Sequence, residues 1–308
     1  MKPIATIPLL ILWLFYHGEL PGKSNYQKTL EPETFYYVSS ESVKLALDVY
    51  SCGNPDAPLM IFVPGGGFVG GSRRSTTYTP FYEAMASKGI NVVAMDYSLP
   101  LKGQKFHCDQ SAENKIMAFS SAAHDIERAT QWLVANETLT QITTSNIWLC
   151  GSSAGAEAIL YLLFGTEASH PEASGLNYSG FISICGASVS FENIKPGNAI
   201  PGLFIHGSCD PLVPVGTAMH HYCPDNFPGA LLLHGPETLT QRYDQLGMPY
   251  QYILYCDVAH TLSNHALTLE LERMAEFIFN QGKVEEQRIM IGRSDGCQFP
   301  SPERCLND

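Results

Sequence analysis

Apolar positions along the chain fall into two patterns that alternate. Short runs that are apolar throughout, or that alternate with period two, recur at 35–38, 43–50, 59–63, 91–95, 147–150, 181–185, 203–205 and 250–255. Between them, segments with apolar residues three and four apart cover 80–88, 112–135, 154–164, 236–246 and 261–279. Runs without a polar face suit strands covered on both sides of a parallel sheet. Their alternation with helical patterns predicts an α/β protein with helices on both faces. Eight strand patterns predict a mostly parallel sheet of about eight strands. No repeat and no linker divides the pattern, so 23–282 is expected to form one domain, followed by a polar, peripheral tail over 283–308.

The chain opens differently. Lys2 precedes an apolar run over 4–16 that is too short to span a bilayer comfortably, and Gly18 and Gly22 follow it. This is the layout of a secretory signal, so residues 1–22 are expected to be removed on export. The alternative is an uncleaved anchor that holds the protein at a membrane. After processing, no stable membrane insertion is expected.

Composition changes the picture in two ways. Charged residues are 16% against 45% apolar, a balance that excludes a disordered chain. Acidic side chains outnumber basic ones by 30 to 18, and the net charge of −12 argues against a nucleic-acid partner. Arg73-Arg74, in a Gly/Ser/Thr loop, is the one adjacent basic pair before the tail. Nine cysteines occur without a C-x-x-C, which weakens zinc and thioredoxin readings. For an exported chain, Cys297 with Cys305 and Cys209 with Cys223 are the expected disulfides. Cys150, Cys185 and Cys256 read as small buried apolar residues.

The strongest chemical motif is Gly151-Ser152-Ser153-Ala154-Gly155, placed where a strand pattern turns into a helix pattern. A serine at such a turn stands clear of the sheet, and small neighbours let strand and helix close on each other. A second G-x-S-x-G, centred on Ser294, lacks a following helix and lies after every usable histidine. Pro64-Gly65-Gly66-Gly67-Phe68 follows the third strand. There the N–H groups of Gly66 and Gly67, with that of Ala154, are placed to hold an oxyanion. A bare Gly-rich turn or a phosphate cradle is the alternative, but the loop lacks the G-K-[ST] ending. Asp210 follows the strand at 203–205 and His260 follows the strand at 250–255. The order Ser153, Asp210, His260 is that of a hydrolase triad, with Asp257 as the rival acid. His206 reads as fixing a turn, Asp96 as structural, and His220-His221 as poor metal ligands for want of spaced partners.

Together these elements resemble the α/β-hydrolase superfamily, in the branch of small carboxylesterases that includes hormone-sensitive-lipase-like and feruloyl or acetyl-xylan esterases. The resemblance rests on 64–68, Asp96-Tyr97-Ser98-Leu99, 151–155, and His206 to Asp210 with Val213-Pro214, and covers about 35–279. It implies an ester substrate, small-molecule or carbohydrate-linked, and no cofactor or metal. Two positions depart from the family. Pro64 replaces a histidine that steadies the glycine loop, and Ser98 replaces an arginine, so an internal salt bridge to Asp125 is expected to be missing. The stretch 186–200 is too short for a large helical cap, which predicts an open site shaped by 99–113 and 215–235. A serine peptidase of the same fold, or an inactive hydrolase fold used as a secreted binding protein, are the competing readings.

Overall fold

The computed structural model describes residues 31–166 and 175–292, together with Cys297 and Cys305. The expected export signal, and the second G-x-S-x-G at Ser294, lie outside these residues. The chain runs β1 (Glu33–Ser39), β2 (Lys44–Tyr50), β3 (Leu59–Val63), α1 (Thr79–Ser87), β4 (Asn91–Met95), α2 (Ala112–Ala135), α3 (Glu137–Thr140), β5 (Ile147–Ser152) and α4 (Ala154–Phe164). It continues with β6 (Gly180–Ile184), β7 (Gly202–Gly207), β8 (Thr217–Met219), β9 (Leu232–His234), α5 (Pro236–Leu246), β10 (Tyr250–Tyr255), α6 (Leu262–Leu269), α7 (Leu271–Phe279) and β11 (Arg288–Ile291).

Nine strands form one sheet in the order β1-β2-β4-β3-β5-β6-β7-β10-β11. β2 runs antiparallel to both β1 and β4, and every other neighbouring pair is parallel. The central strands are buried on both faces, as their unbroken apolar sequences require. Alternate residues of β3 serve opposite cores. Leu59, Ile61 and Val63 pack on the side of α2, α4 and α5, while Met60 and Phe62 pack on the side of α1, α6 and α7. The order reverses at β3: β4 lies on one side of it and β5 on the other. Loops leaving β3 and β5 therefore diverge above the sheet and open the crevice in which open α/β sheets bind ligands.

Three expectations need correction. The ninth strand, β11, pairs in parallel with β10 from Tyr252↔Arg288 to Tyr255↔Ile291, so the segment read as a peripheral tail begins inside the sheet. The single helix pattern at 261–279 is two helices, broken at Glu270, where φ is −110° and ψ 14°. Glu270 is buried there and accepts hydrogen bonds from Tyr255 Oη at 2.5 Å and Arg273 Nε at 2.8 Å.

The third correction concerns the disulfides, which join Cys108 to Cys223, Cys209 to Cys297 and Cys256 to Cys305. Both expected pairings fail because sequence proximity is not spatial proximity. β11 runs parallel to β10 and so emerges at the sheet end where Cys256 and Cys209 already lie. The chain beyond it meets those two cysteines. Cys150 and Cys185 are buried free thiols, as expected, and Cys52 is also free. Cys256 is not a free apolar residue but half of a cross-link.

Candidate active site

At the end of β5 the chain turns sharply, and Ser153 sits at the turn with φ 54° and ψ −123°. A non-glycine residue in this region is strained, and the surrounding structure must hold it there. Gly151 and Gly155 make that possible. A Cβ on Gly151 would come within 2.6 Å of the Gly155 carbonyl, and one on Gly155 would meet the Val63 and Pro64 main chain. The Ser153 N–H donates to Ile184 O at 2.8 Å, which ties the turn to the neighbouring strand.

Three loops bring the remaining residues to this turn. Ser153 Oγ lies 2.7 Å from His260 Nε2, and His260 Nδ1 lies 2.6 Å from Asp210 Oδ2. With the proton on Nδ1, that nitrogen donates to the carboxylate and Nε2 accepts from the serine hydroxyl. Asp210 is fully buried, and its Oδ1 accepts from the N–H groups of Leu212 at 2.9 Å and Val213 at 3.0 Å. Burial alone would raise its pKa. Hydrogen bonds from His206 and His260 outweigh burial and hold the carboxyl well below its ordinary range. The rival Asp257 stays on the surface, with its Oδ1 3.8 Å from Cys209 Sγ and its N–H donating to Ser208 Oγ.

His206 does more than fix a turn. It is buried, its Nε2 lies 3.4 Å from Asp210 Oδ2 and 3.1 Å from Val213 O, and it gives the acid a second imidazole. The four-residue spacing to Asp210 is the signal for it in the sequence.

The loop after β3 carries Gly65, Gly66 and Gly67 along the wall of a cavity of about 540 Å³ that also contains Ser153 and His260. Gly66 has φ 136°, which a side chain would not tolerate. Its carbonyl accepts from Gly70 N–H at 3.1 Å, folding the loop back on itself. Where the resembling family has a histidine, two tyrosines brace the loop. Tyr97 Oη donates to Pro64 O at 3.1 Å, and Tyr78 Oη accepts from Gly65 N–H at 3.2 Å. Ala154 is the first residue of α4, so its N–H points out of a helix start.

At the position of the missing arginine, the Ser98 N–H donates to Asp125 Oδ2 at 2.8 Å, and Arg128 stands 3.5 Å from Oδ1. Arg73 and Arg74, the adjacent basic pair, close on buried Asp48 at 3.0 and 2.7 Å, and Arg73 also pairs with Asp96. These ion pairs tie the loop to β2 and to the residue after β4, with Arg73 mostly buried and Arg74 more than half exposed.

The two segments expected to shape the site, 99–113 and 215–235, are joined by Cys108–Cys223. The Gly229 N–H also donates to Cys108 O, and Ala112 N–H to Pro228 O, both at 2.8 Å. From these segments Phe106, His220 and His221 enter the cavity wall. Glu157, on the first turn of α4, lines the same wall, with Oε1 3.2 Å from His220 Nε2. Buried Lys115 lies behind it and donates to Gly229 O at 2.8 Å. Neither Glu157 nor Lys115 belongs to a sequence motif of the site. Their signal is a charged residue on a buried helix face: Glu157 stands alone on α4, and Lys115 shares the core face of α2 with Asp125.

A family model described as BD-FAE matches residues 47–181, which span β2 to β6 and include the glycine loop and the Ser153 turn. The propionate-bound esterase Est2 of Thermogutta terrifontis superposes with a TM-score of 0.58 at 17% identity, over 84% of this chain and 97% of that one. The chain has the α/β-hydrolase fold.

Other solved structures share this fold. A truncated carbohydrate esterase from gut microbiota gives a TM-score of 0.57 at 12% identity over 83% of this chain and 98% of that one. An esterase of Pyrobaculum calidifontis gives 0.53 at 17% identity, over 81% and 85%. Over 112 residues the sequence is 30% identical to Esterase B1 of Culex pipiens. That match covers 36% of this chain and 20% of the insect protein, so the chain spans about a fifth of that relative's length.

Proposed function

We propose that this α/β-hydrolase cleaves carboxylic esters through an acyl-enzyme on Ser153. The observation that carries the reading is the continuous chain Ser153 Oγ–His260–Asp210, at 2.7 and 2.6 Å, set beside the glycine loop in one cavity. His260 takes the serine proton as Oγ attacks the ester carbonyl. Asp210 holds the ring in the required tautomer and stabilises the imidazolium. The N–H groups of Gly66, Gly67 and Ala154 receive the oxyanion; losing one such donor costs about 100- to 1,000-fold in rate. His260 then passes the proton to the leaving alcohol, and water cleaves the acyl-enzyme with the same imidazole as base.

The substrate class follows from what surrounds Ser153. The connection between β6 and β7 carries no helix, and none of its residues lines the cavity. An open cavity of about 540 Å³ suits short acyl or aryl esters, carbohydrate-linked ones included, better than long-chain lipid. Among the described residues, no helix is long and apolar enough to cross a membrane. Three disulfides favour an oxidising compartment, and with the signal-like residues 1–22 they support export.

A panel of p-nitrophenyl esters and arylamides tests the reading. Acetate and butyrate are expected to be turned over faster than palmitate, and esters faster than the matched arylamides. Faster arylamide turnover would favour a peptidase. No turnover, with a serine inert to fluorophosphonate, would favour a binding protein.

A further inference from the structure

One wall of the cavity is polar where ester cleavage itself makes no demand. Glu157 stands one helical turn, roughly 5.4 Å, along α4 from Ser153. It is 2% exposed and His220 1% exposed, yet both line the cavity. Their atoms face each other at 3.2 Å without closing a hydrogen bond. Among the described residues, Glu157 Oε1, His220 Nδ1 and His221 Nδ1 are all buried with no hydrogen-bond partner. Phe106 packs against both imidazoles, with ring centroids 5.4 and 5.9 Å away, and holds them in place. Buried polar atoms are rarely left unpaired. Three of them in the wall of one open cavity are a site that an incoming group completes.

Charge state narrows what that group is. Burial pushes Glu157 up to about 8, with the charge of Asp210 adding to the effect and Lys115 opposing it. Burial also keeps His220 well below its usual range and brings His221 down to about 4. Near neutral pH the wall therefore presents a protonated carboxyl and two neutral imidazoles. That set both donates and accepts, and it carries no charge of its own. A hydroxyl, which also donates and accepts, is its complement. An alkyl group leaves the three atoms unpaired, and a carboxylate finds acceptors as well as donors.

We propose that Glu157, His220 and His221 form a hydroxyl-recognising subsite, and that the preferred substrates are esters carrying a free hydroxyl a few bonds from the scissile carbonyl. This inference rests on the esterase reading above.

Matched ester pairs test it on each side of the scissile bond. On the acyl side, p-nitrophenyl 3-hydroxybutyrate is set against p-nitrophenyl butyrate. On the alcohol side, glyceryl monobutyrate is set against propyl butyrate. In at least one pair the hydroxylated ester is expected to show kcat/KM about 10-fold higher or more, because a polar site penalises the analogue that leaves it unpaired. Glu157→Leu is expected to bring that ratio close to one, and Glu157→Gln, which still donates and accepts, to keep most of it. Ratios of one or below in both pairs for the unaltered protein overturn the subsite, whatever the variants do. So does a ratio that Glu157→Leu leaves unchanged. If Ser153 is labelled and plain esters are cleaved, such a result removes the subsite alone. If no ester is cleaved and Ser153 is inert, the esterase reading fails and the subsite falls with it.

Discussion

At the scale of single residues, Asp210 is the most tightly determined group in the site. It receives two main-chain N–H groups and faces two imidazoles while fully buried. Asp210→Asn keeps the shape but favours the wrong tautomer of His260. A loss of about 10⁴-fold in kcat is expected, with KM little altered, by steady-state kinetics on a short-chain ester. Glu157 makes a prediction about stability. Its folded pKa of about 8 lies above the unfolded carboxyl value of about 4.3, so the native state holds the extra proton between them. Its contribution is complete below that unfolded value and is lost as pH rises towards 8. Buried His220 and His221, whose pKa values are lowered, act in the opposite direction over the same range, so the slope is read as a difference: from pH 5 to pH 7.5 the urea midpoint of the unaltered protein is expected to lose ground against that of Glu157→Gln. A slope unchanged in the variant would contradict it.

The meeting of Ser153, His260 and Asp210 was legible in the sequence because each follows a strand, and the order Ser153, Asp210, His260 has few alternatives. The Glu157 wall was not. One acid in the apolar run 154–164 reads as a helix residue until the fold places it beside His220, which is 63 positions away by number (220 − 157).

At the scale of elements, Cys108–Cys223 sets the shape of the cavity mouth. It closes a span of 115 residues and clamps the loop bearing Phe106 to the one bearing His220 and His221. Replacing both cysteines by alanine is expected to cost roughly 2–4 kcal/mol in urea unfolding. KM should rise with a smaller change in kcat, since the triad hangs on other loops. An unchanged KM would separate the clamp from substrate binding. Period-two and helical patterns located the eight strands on which the sheet is built. They missed β11 because four residues, Arg288–Ile291, at an edge carry too short a pattern to stand out from polar surroundings. The break at Glu270 was hidden for another reason. Apolar spacing continues across it, and the turn is set by side-chain bonds to Tyr255 and Arg273, which spacing does not encode.

At the scale of the whole molecule, the topology explains why these loops meet. Reversal of strand order at β3 separates the glycine loop from the Ser153 turn just enough to leave a crevice, and the loops after β7 and β10 bring Asp210 and His260 beside it. The net charge of −12 is spread over a protein whose adjacent arginines are already committed to Asp48 and Asp96. Polyanionic substrates are therefore disfavoured, and ester cleavage should depend weakly on salt.

A covalent intermediate on Ser153 can be trapped and located by site mapping of a fluorophosphonate adduct. One adduct per chain is expected, on the peptide containing Ser153. It should be absent from Ser153→Ala, and that variant should lose on the order of 10⁶-fold in kcat. Undiminished labelling of Ser153→Ala, or an adduct mapped to Ser294, would contradict it.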